Sequence, residues 1–339
     1  MATLKQISKM TGVAESTISR VLNRDPTLSI TDEKRTLVIE TAEKLQYVTP
    51  RARRSRSGPD PVSLRKPEEL VSLVLVHFLT SQEELSRPFY IGLRKGIEAR
   101  CEAYGINIVR ILEKDMDAAS LHTARHSGVL SIGQLEPDMV EAINNLGIPV
   151  VLAHPAKPPT LLDVAYVDVA SASAMLCEWL LARGIKRPAL VGLAAEADGR
   201  LDGYRSVMQQ AGGYDPDNVF YDGDPDATGG TAVDRLFERF ETSGKPFPDA
   251  LIIHKDQTAV EVYQALEARG LKIPDDISVV GFNDSAVASV LRPKLTTIRL
   301  DAGVIGEAAV DLLMERLAGR KTAKHVQIQP TVTVRASTI

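Results

Sequence analysis

The stretch from Gly12 to Asn23 combines a tight turn with a hydrogen-bonding face suited to reading a polar surface. Gly12 is free to take a positive φ and end one helix, and the residues after it read as a second short helix. At helical spacing Ile18, Val21 and Leu22 share one face, which leaves Glu15, Ser16, Ser19, Arg20 and Asn23 pointing outward. A short helix with an apolar back and a hydrogen-bonding front is what the major groove of DNA accepts.

A second set of chemistry-bearing residues falls just after apolar runs much further along the chain. Phe89 and Tyr90 follow the loop after the run Val71–Phe78, where an aromatic face can stack on the apolar side of a sugar. Arg200 lies just past Ala189–Leu193, and its guanidinium fork suits bidentate bonding to vicinal hydroxyls. Lys255 and Asp256 follow the run ending in His254, and Asn283 and Asp284 follow the run ending in Phe282. Taken singly, each reads equally well as a helix cap or a surface charge; their common position at strand ends sets them apart. Other features read as ordinary. His122 and His126 stand i, i+4, but an exposed imidazole pair is the simpler reading than a metal site. Asp222-Gly-Asp224-Pro-Asp226 opens like a calcium loop, yet Ala227 occupies the turn-glycine position and Val233 the closing-glutamate position. No nucleophile-elbow, zincin or phosphate-loop motif is present, so the expectation is a protein that is not an enzyme and holds no cofactor or metal.

The elements needed to position these residues are legible in coarse form. Thr3 and Thr31 are predicted N-caps of two helices flanking the outward-facing one, the last carrying an apolar stripe of Leu37, Val38, Ala42 and Leu45. Residues 1–48 therefore read as a helix-turn-helix headpiece. Residues 49–68 place Arg51, Arg53, Arg54 and Arg56 among Pro, Ser and Gly, either as a solvated linker or as an arm that contacts phosphates or the minor groove. From residue 69 onward, apolar strands at Val71–Phe78, Ile106–Leu112, Gly128–Ile132, Ile148–Ala153, Ala189–Leu193, Ala250–His254 and Ile277–Phe282 alternate with amphipathic helical segments. The helical segments are 89–104, 137–146, 169–184, 199–212, 229–243 and 256–270. This pattern predicts an α/β body of two doubly wound lobes with a ligand cleft at the carboxyl ends of the strands.

Composition sets the bounds. The 339 residues suffice for two or three domains, and 44% hydrophobic with 25% charged residues is ordinary for a globular chain. Two cysteines, Cys101 and Cys177, make no disulfide framework, and no apolar run approaches the ~20 residues of a membrane span, so a cytoplasmic location is expected. Residues 1–58 carry 4 Lys and 7 Arg against 6 acids; with a total of -4, their net +5 leaves -9 on the remainder. A basic module on an acidic body points to a polyanionic partner for the module alone.

Headpiece, arginine arm and two-lobed body together resemble the LacI/GalR family of bacterial transcription regulators. The resemblance rests on Ala2-Thr3-Leu4-Lys5, Gly12-Val13, Thr17-Ile18-Ser19-Arg20-Val21-Leu22-Asn23 and Leu45-Gln46-Tyr47. In the body it rests on Pro88-Phe89-Tyr90, Gly203-Tyr204-Arg205, Ile277 to Asp284 and Leu295-Thr296-Thr297-Ile298. It implies a periplasmic-binding-protein-like effector body, with one lobe at about 69–167 and 297–322 and the other at about 168–296 and 323–339. It implies a homodimer, or a tetramer built from it, on a palindromic operator. Arg20, Glu15 and Ser16 would then face base edges, with Arg20 reading guanine. Thr3, Thr17, Ser19 and Asn23 would hold phosphates beside Leu4, and Arg51, Arg53 and Arg54 would supply the arm. Phe89, Tyr90, Arg200, Lys255, Asp256 and Asn283 would bind a small sugar-like effector, and the stretch Asn23–Leu28 suggests a galactoside.

Three positions depart from the family pattern. The arm carries Arg54-Ser55-Arg56 where the family places a leucine that wedges into DNA, so arginine insertion into a narrow minor groove is the expected substitute. Asn283 replaces the acid that grips sugar hydroxyls, and Lys255 replaces a neutral polar residue. Both changes move the pocket toward positive potential and predict an acidic or phosphorylated effector. The competing expectation is a cytoplasmic sugar-binding protein or sugar-processing enzyme without operator binding, though neither explains the basic headpiece.

Overall fold

The computed structural model describes residues 4–22, 30–31, 34, 37–38, 41–42, 72–116, 127–193, 199–221 and 229–339. The chain divides into two compact units, Met1–Lys66 and Pro67–Ile339. In the first, α1 (Leu4–Thr11) and α2 (Glu15–Leu22) are joined by a three-residue turn. Gly12 has φ +67°, a left-handed conformation open to glycine, and its amide returns to the Ser8 carbonyl at 2.9 Å. Ile7, Val13, Ile18, Val21, Val38 and Ala42 close a small core, with Leu4, Leu22 and Ile30 packed against it. Leu37, expected in the apolar stripe of the third helix, is 44% exposed, so Val38 and Ala42 supply that helix's contact here.

The second unit contains two six-stranded sheets. The first is ordered β2-β1-β3-β4-β5-β11, from β1 (Ser72–His77), β2 (Asn107–Leu112), β3 (Gly128–Ile132), β4 (Val150–Ala153), β5 (Asp163–Tyr166) and β11 (His325–Gln327). The second is ordered β7-β6-β8-β9-β10-β12, from β6 (Pro188–Leu193), β7 (Val219–Tyr221), β8 (Ala250–Ile253), β9 (Ser278–Phe282), β10 (Thr296–Arg299) and β12 (Thr331–Thr333). All neighbours are parallel except β10 and β12. The two sheets repeat one doubly wound order, in which a crevice opens where the winding reverses beside β1 or β6. Central strands such as β3, β4, β8 and β9 are buried throughout, because helices cover both faces; their near-continuous apolar sequences follow from that.

Helices fill the crossovers: α3 (Ser81–Leu85), α4 (Pro88–Tyr104), α5 (Pro137–Asn145), α6 (Val169–Leu181), α7 (Gly199–Gln210), α8 (Gly229–Ser243), α9 (Ala259–Ala268), α10 (Ala286–Val290) and α11 (Ala302–Leu317). In each lobe one pair of helices is drawn together through glycine. A Cβ on Gly96 of α4 would overlap the Gly303 carbonyl of α11, and one on Gly203 of α7 would overlap the Ala170 carbonyl of α6.

The chain crosses between the sheets three times, after β5, after β10 and between β11 and β12. The crossings lie side by side. Ile328 donates its amide to the Tyr166 carbonyl at 2.8 Å, and Arg299 pairs with Thr331 in the β10–β12 ladder. Aspartates seat the helices that follow two of them: Asp168 accepts from the Ala170 amide at 3.0 Å, and Asp301 caps α11 through the Val304 amide. These crossings correct the expected lobe limits of 297–322 and 323–339. Residues 296–299 belong to the second sheet as β10, because their backbone bonds go to β9 and β12, and residues 325–327 return to the first as β11 against β5.

Candidate functional site

Strands of both sheets deliver residues to the crevice from beyond their carboxyl ends. After β1, Arg87 is the N-cap residue of α4, and Pro88 at its first position sets the entry angle, so Phe89 and Tyr90 lie in the first turn. Phe89 packs against the His154 ring with 4.8 Å between centroids and edge-on to Tyr90 at 5.4 Å, while Tyr90 meets Phe78 edge-on at 5.1 Å. Burial pushes the Tyr90 hydroxyl above its usual pKa. His154 itself ends β4 at φ +55° and returns its amide to the Ala165 carbonyl at 2.8 Å. Its Nδ1 accepts the Val167 amide, so the neutral ring carries its proton on Nε2. Burial, helped by the Arg200 guanidinium, pushes its pKa down to about 4, and the ring is uncharged at neutral pH.

The second lobe brings polar groups. Arg200, the second residue of α7, stands over the Phe282 ring at 5.0 Å. Gly192, at φ +88°, leaves room for the His254 ring, which a Cβ there would strike. Lys255 and Gln257 follow on the turn before α9. Asn283 and Asp284 adopt φ +97° and +51°, an unusual left-handed pair fixed by the Asn283 amide on the Ile298 carbonyl at 2.8 Å.

These residues enclose two cavities that share Arg200. One, of about 400 Å³, is lined by Ser86, Arg87, Pro88, Phe89, Tyr90, Arg200, His254, Lys255, Gln257 and Asn283. The other, of about 290 Å³, is lined by His154, Pro155, Ala156, Pro158, Tyr166, Asp168, Gly199, Arg200 and their neighbours. Five of the six residues singled out from sequence therefore meet on one cavity: Phe89, Tyr90, Arg200, Lys255 and Asn283. The sixth, Asp256, turns away from it. Its carboxylate is fully buried, accepting the Thr297 hydroxyl at 2.7 Å and the Ser285 amide at 2.6 Å. Burial raises its pKa to about 6. Asp256 thus ties β10 and the Asn283 loop to the turn carrying Lys255, a positioning part in place of the expected contact. Sequence reasoning missed Arg87, His154, His254 and Gln257. For His154 and His254 the signal was the strand-end position that exposed their neighbours.

On the headpiece, the outward face of α2 keeps its expected composition: Glu15, Ser16 and Arg20 are exposed, Thr17 and Ser19 partly so, and Leu4 on α1 is half-buried. Thr3, Asn23, Arg51, Arg53, Arg54, the pair His122 and His126, and the Asp222–Asp226 loop lie outside the described residues. Among the described residues no cluster of His, Cys, Asp or Glu could hold a metal ion, and no helix is long and apolar enough to cross a membrane.

Comparison with known proteins agrees along the full length. A model of the periplasmic binding protein-like domain matches residues 177–338. The regulator GalR of Streptococcus thermophilus, an HTH-type transcriptional regulator, is 28% identical over 355 residues, covering 100% of both chains. The HTH-type transcriptional repressor MelR of Bacillus subtilis is 28% identical over 349 residues, covering 99% of this chain and 97% of its own. Among solved structures, a complex of the transcriptional regulator CelR with cellobiose superposes with a TM-score of 0.67 at 24% identity, covering 99% of this chain and 100% of that one. With its turn-linked α1 and α2 and its paired doubly wound lobes, the chain is similar over its full length to transcriptional regulators of the LacI/GalR family.

Proposed function

We propose that this protein is a transcriptional repressor whose affinity for an operator is set by a small carbohydrate-like effector held in the Arg200 cavities. The observation that carries the reading is convergence: five strand-end residues from two lobes, separated by as much as 194 positions between Phe89 and Asn283, line one cavity of about 400 Å³. That is a volume suited to a mono- or disaccharide. The relatives' names place the family among regulators rather than enzymes, and the CelR structure holds cellobiose in a body of the same fold. In this reading the protein works in the cytoplasm as a homodimer. Each α2 enters a major groove, Arg20 pairs with a guanine, Glu15 and Ser16 tune neighbouring positions, and Thr3, Thr17, Ser19, Asn23, Arg51, Arg53 and Arg54 supply backbone and minor-groove contacts. Effector binding favours one arrangement of the lobes and so changes operator affinity.

Fluorescence anisotropy of the full chain on DNA from upstream of its own gene tests this, run at several salt concentrations with and without sugars. A palindromic site bound in preference to random DNA, with an affinity shifted by one sugar class, is the expected result. Arg20→Ala is expected to cost about 1–3 kcal/mol and relax preference at one base position per half-site. Equal binding of operator and random DNA by the wild-type chain would overturn the reading.

A further inference from the structure

The charge of the larger cavity points beyond a neutral sugar. Arg87, Arg200 and Lys255 line it, and among its described lining residues there is no carboxylate. The aspartates nearest in sequence to the strand ends have partners elsewhere. Asp256 is spent on Thr297 and Ser285 inside the second lobe. Asp284 is paired with Arg335 at 2.5 Å and accepts the Thr333 hydroxyl at 3.3 Å. Asp168, on the neighbouring cavity, accepts the Ala170 amide and the Ser171 hydroxyl as the cap of α6. Neither Arg87 nor Lys255 forms a salt bridge among the described residues. Three cations line one crevice, Arg87 and Lys255 exposed and Arg200 half-buried, and their summed positive potential favours a bound anion. The same cavity also has an uncharged surface: Phe89 and Tyr90 line it, and Phe89 packs against His154 of the neighbouring cavity, which is held uncharged with its Nδ1 occupied.

We propose that the effector is an anionic sugar derivative, its carboxylate or phosphate monoester lying among Arg87, Arg200 and Lys255 and its uncharged ring against Phe89. The proposal rests on the reading of this cavity as the effector site. The guanidinium fork can take two oxygens of either anion, while the lysine ammonium adds a point charge without selecting between them.

Titration calorimetry on the full chain tests this with sets of three probes per sugar: the neutral aldose, its uronic or aldonic acid, and its phosphate monoester, with inorganic phosphate alongside. One set is galactose, galacturonate and galactose 6-phosphate. The expected result is that an anionic member binds at least tenfold tighter than its neutral parent, with an affinity that falls as salt rises. Lys255→Gln and Arg87→Gln are each expected to shrink that ratio by about tenfold, folding being checked by circular dichroism. A neutral parent that binds as tightly as its anions, with binding lost in Phe89→Ala, would overturn the anionic proposal and leave the effector site in place. If no member of any set binds or shifts operator affinity, both the proposal and the effector reading fall.

Discussion

The two lobes wind their sheets in the same order, yet they offer the cavity unlike walls. The first contributes rings, Phe89 and Tyr90, with His154 of the neighbouring cavity packed on Phe89 and with Arg87 beside them. The second contributes directional groups, Arg200, Lys255, Gln257 and Asn283, set on turns and a left-handed backbone pair. In the proposed effector site, recognition would be divided between the two walls. An aromatic face accepts many ring orientations, whereas a guanidinium or amide demands a particular one. The buried titratable groups differ in the same sense: a base kept neutral in the first lobe, and an acid resisting ionisation in the second.

The shared part of the comparison gives the largest expected effects. Gly96→Ala and Gly203→Ala each force a methyl into a facing backbone carbonyl, and each is expected to cost about 3 kcal/mol in urea unfolding. A large loss in only one lobe would break the equivalence of the two helix pairs. Next come the walls. With the effector identified, Arg200→Ala is expected to weaken its binding about 100-fold through lost charge-assisted bonds, and Phe89→Ala about tenfold through lost stacking. Equal losses by calorimetry would show that the walls share recognition evenly.

The effects of pH run in opposite directions in the two lobes. Below about pH 6.5 the unfolded chain protonates His154 while the folded one resists until about pH 4, so this group's contribution to stability drains away as pH falls through that window. Asp256 ionises near pH 6 when folded but near 3.8 when unfolded, so its contribution drains as pH rises from about 4 to about 6. His154→Gln is expected to make stability fall less steeply on acidification, and Asp256→Asn to remove a loss on neutralisation, whatever the level of either variant. Urea midpoints measured from pH 4 to 7 check both slopes; unchanged slopes would mean that neither group is held as its burial implies.

Much of this architecture was legible because burial on both faces writes central strands as apolar runs. What was not legible depended on distant partners. The sequence of α11 contains Gly303 and Gly306, which read as weak points in a helix. In the fold Gly306 lets α11 approach α4, since a Cβ there would meet the Leu93 carbonyl, and Gly303 presents the backbone that Gly96 of α4 lies against. β5, β7, β10, β11 and β12 are three or four residues long, too short to show a period. Asp256 and Lys255 are adjacent in sequence, but one step around the turn sends one side chain to the core and the other to the cavity. His154 acquires its character from Phe89, 65 positions away, and no local motif signals that contact.

The three adjacent crossings carry a mechanical consequence. A single connecting strand would act as a swivel, leaving one lobe free to spin about it and the two cavity walls free to lose register. Three ribbons bonded edge to edge, through Tyr166–Ile328 and Arg299–Thr331, resist torsion and leave bending about one line as the compliant motion. With Asp168 and Asp301 anchoring the first turns of α6 and α11, that bend is concentrated in the few residues before them. In the proposed reading, occupancy of the crevice would then register as a single angle between the two lobes.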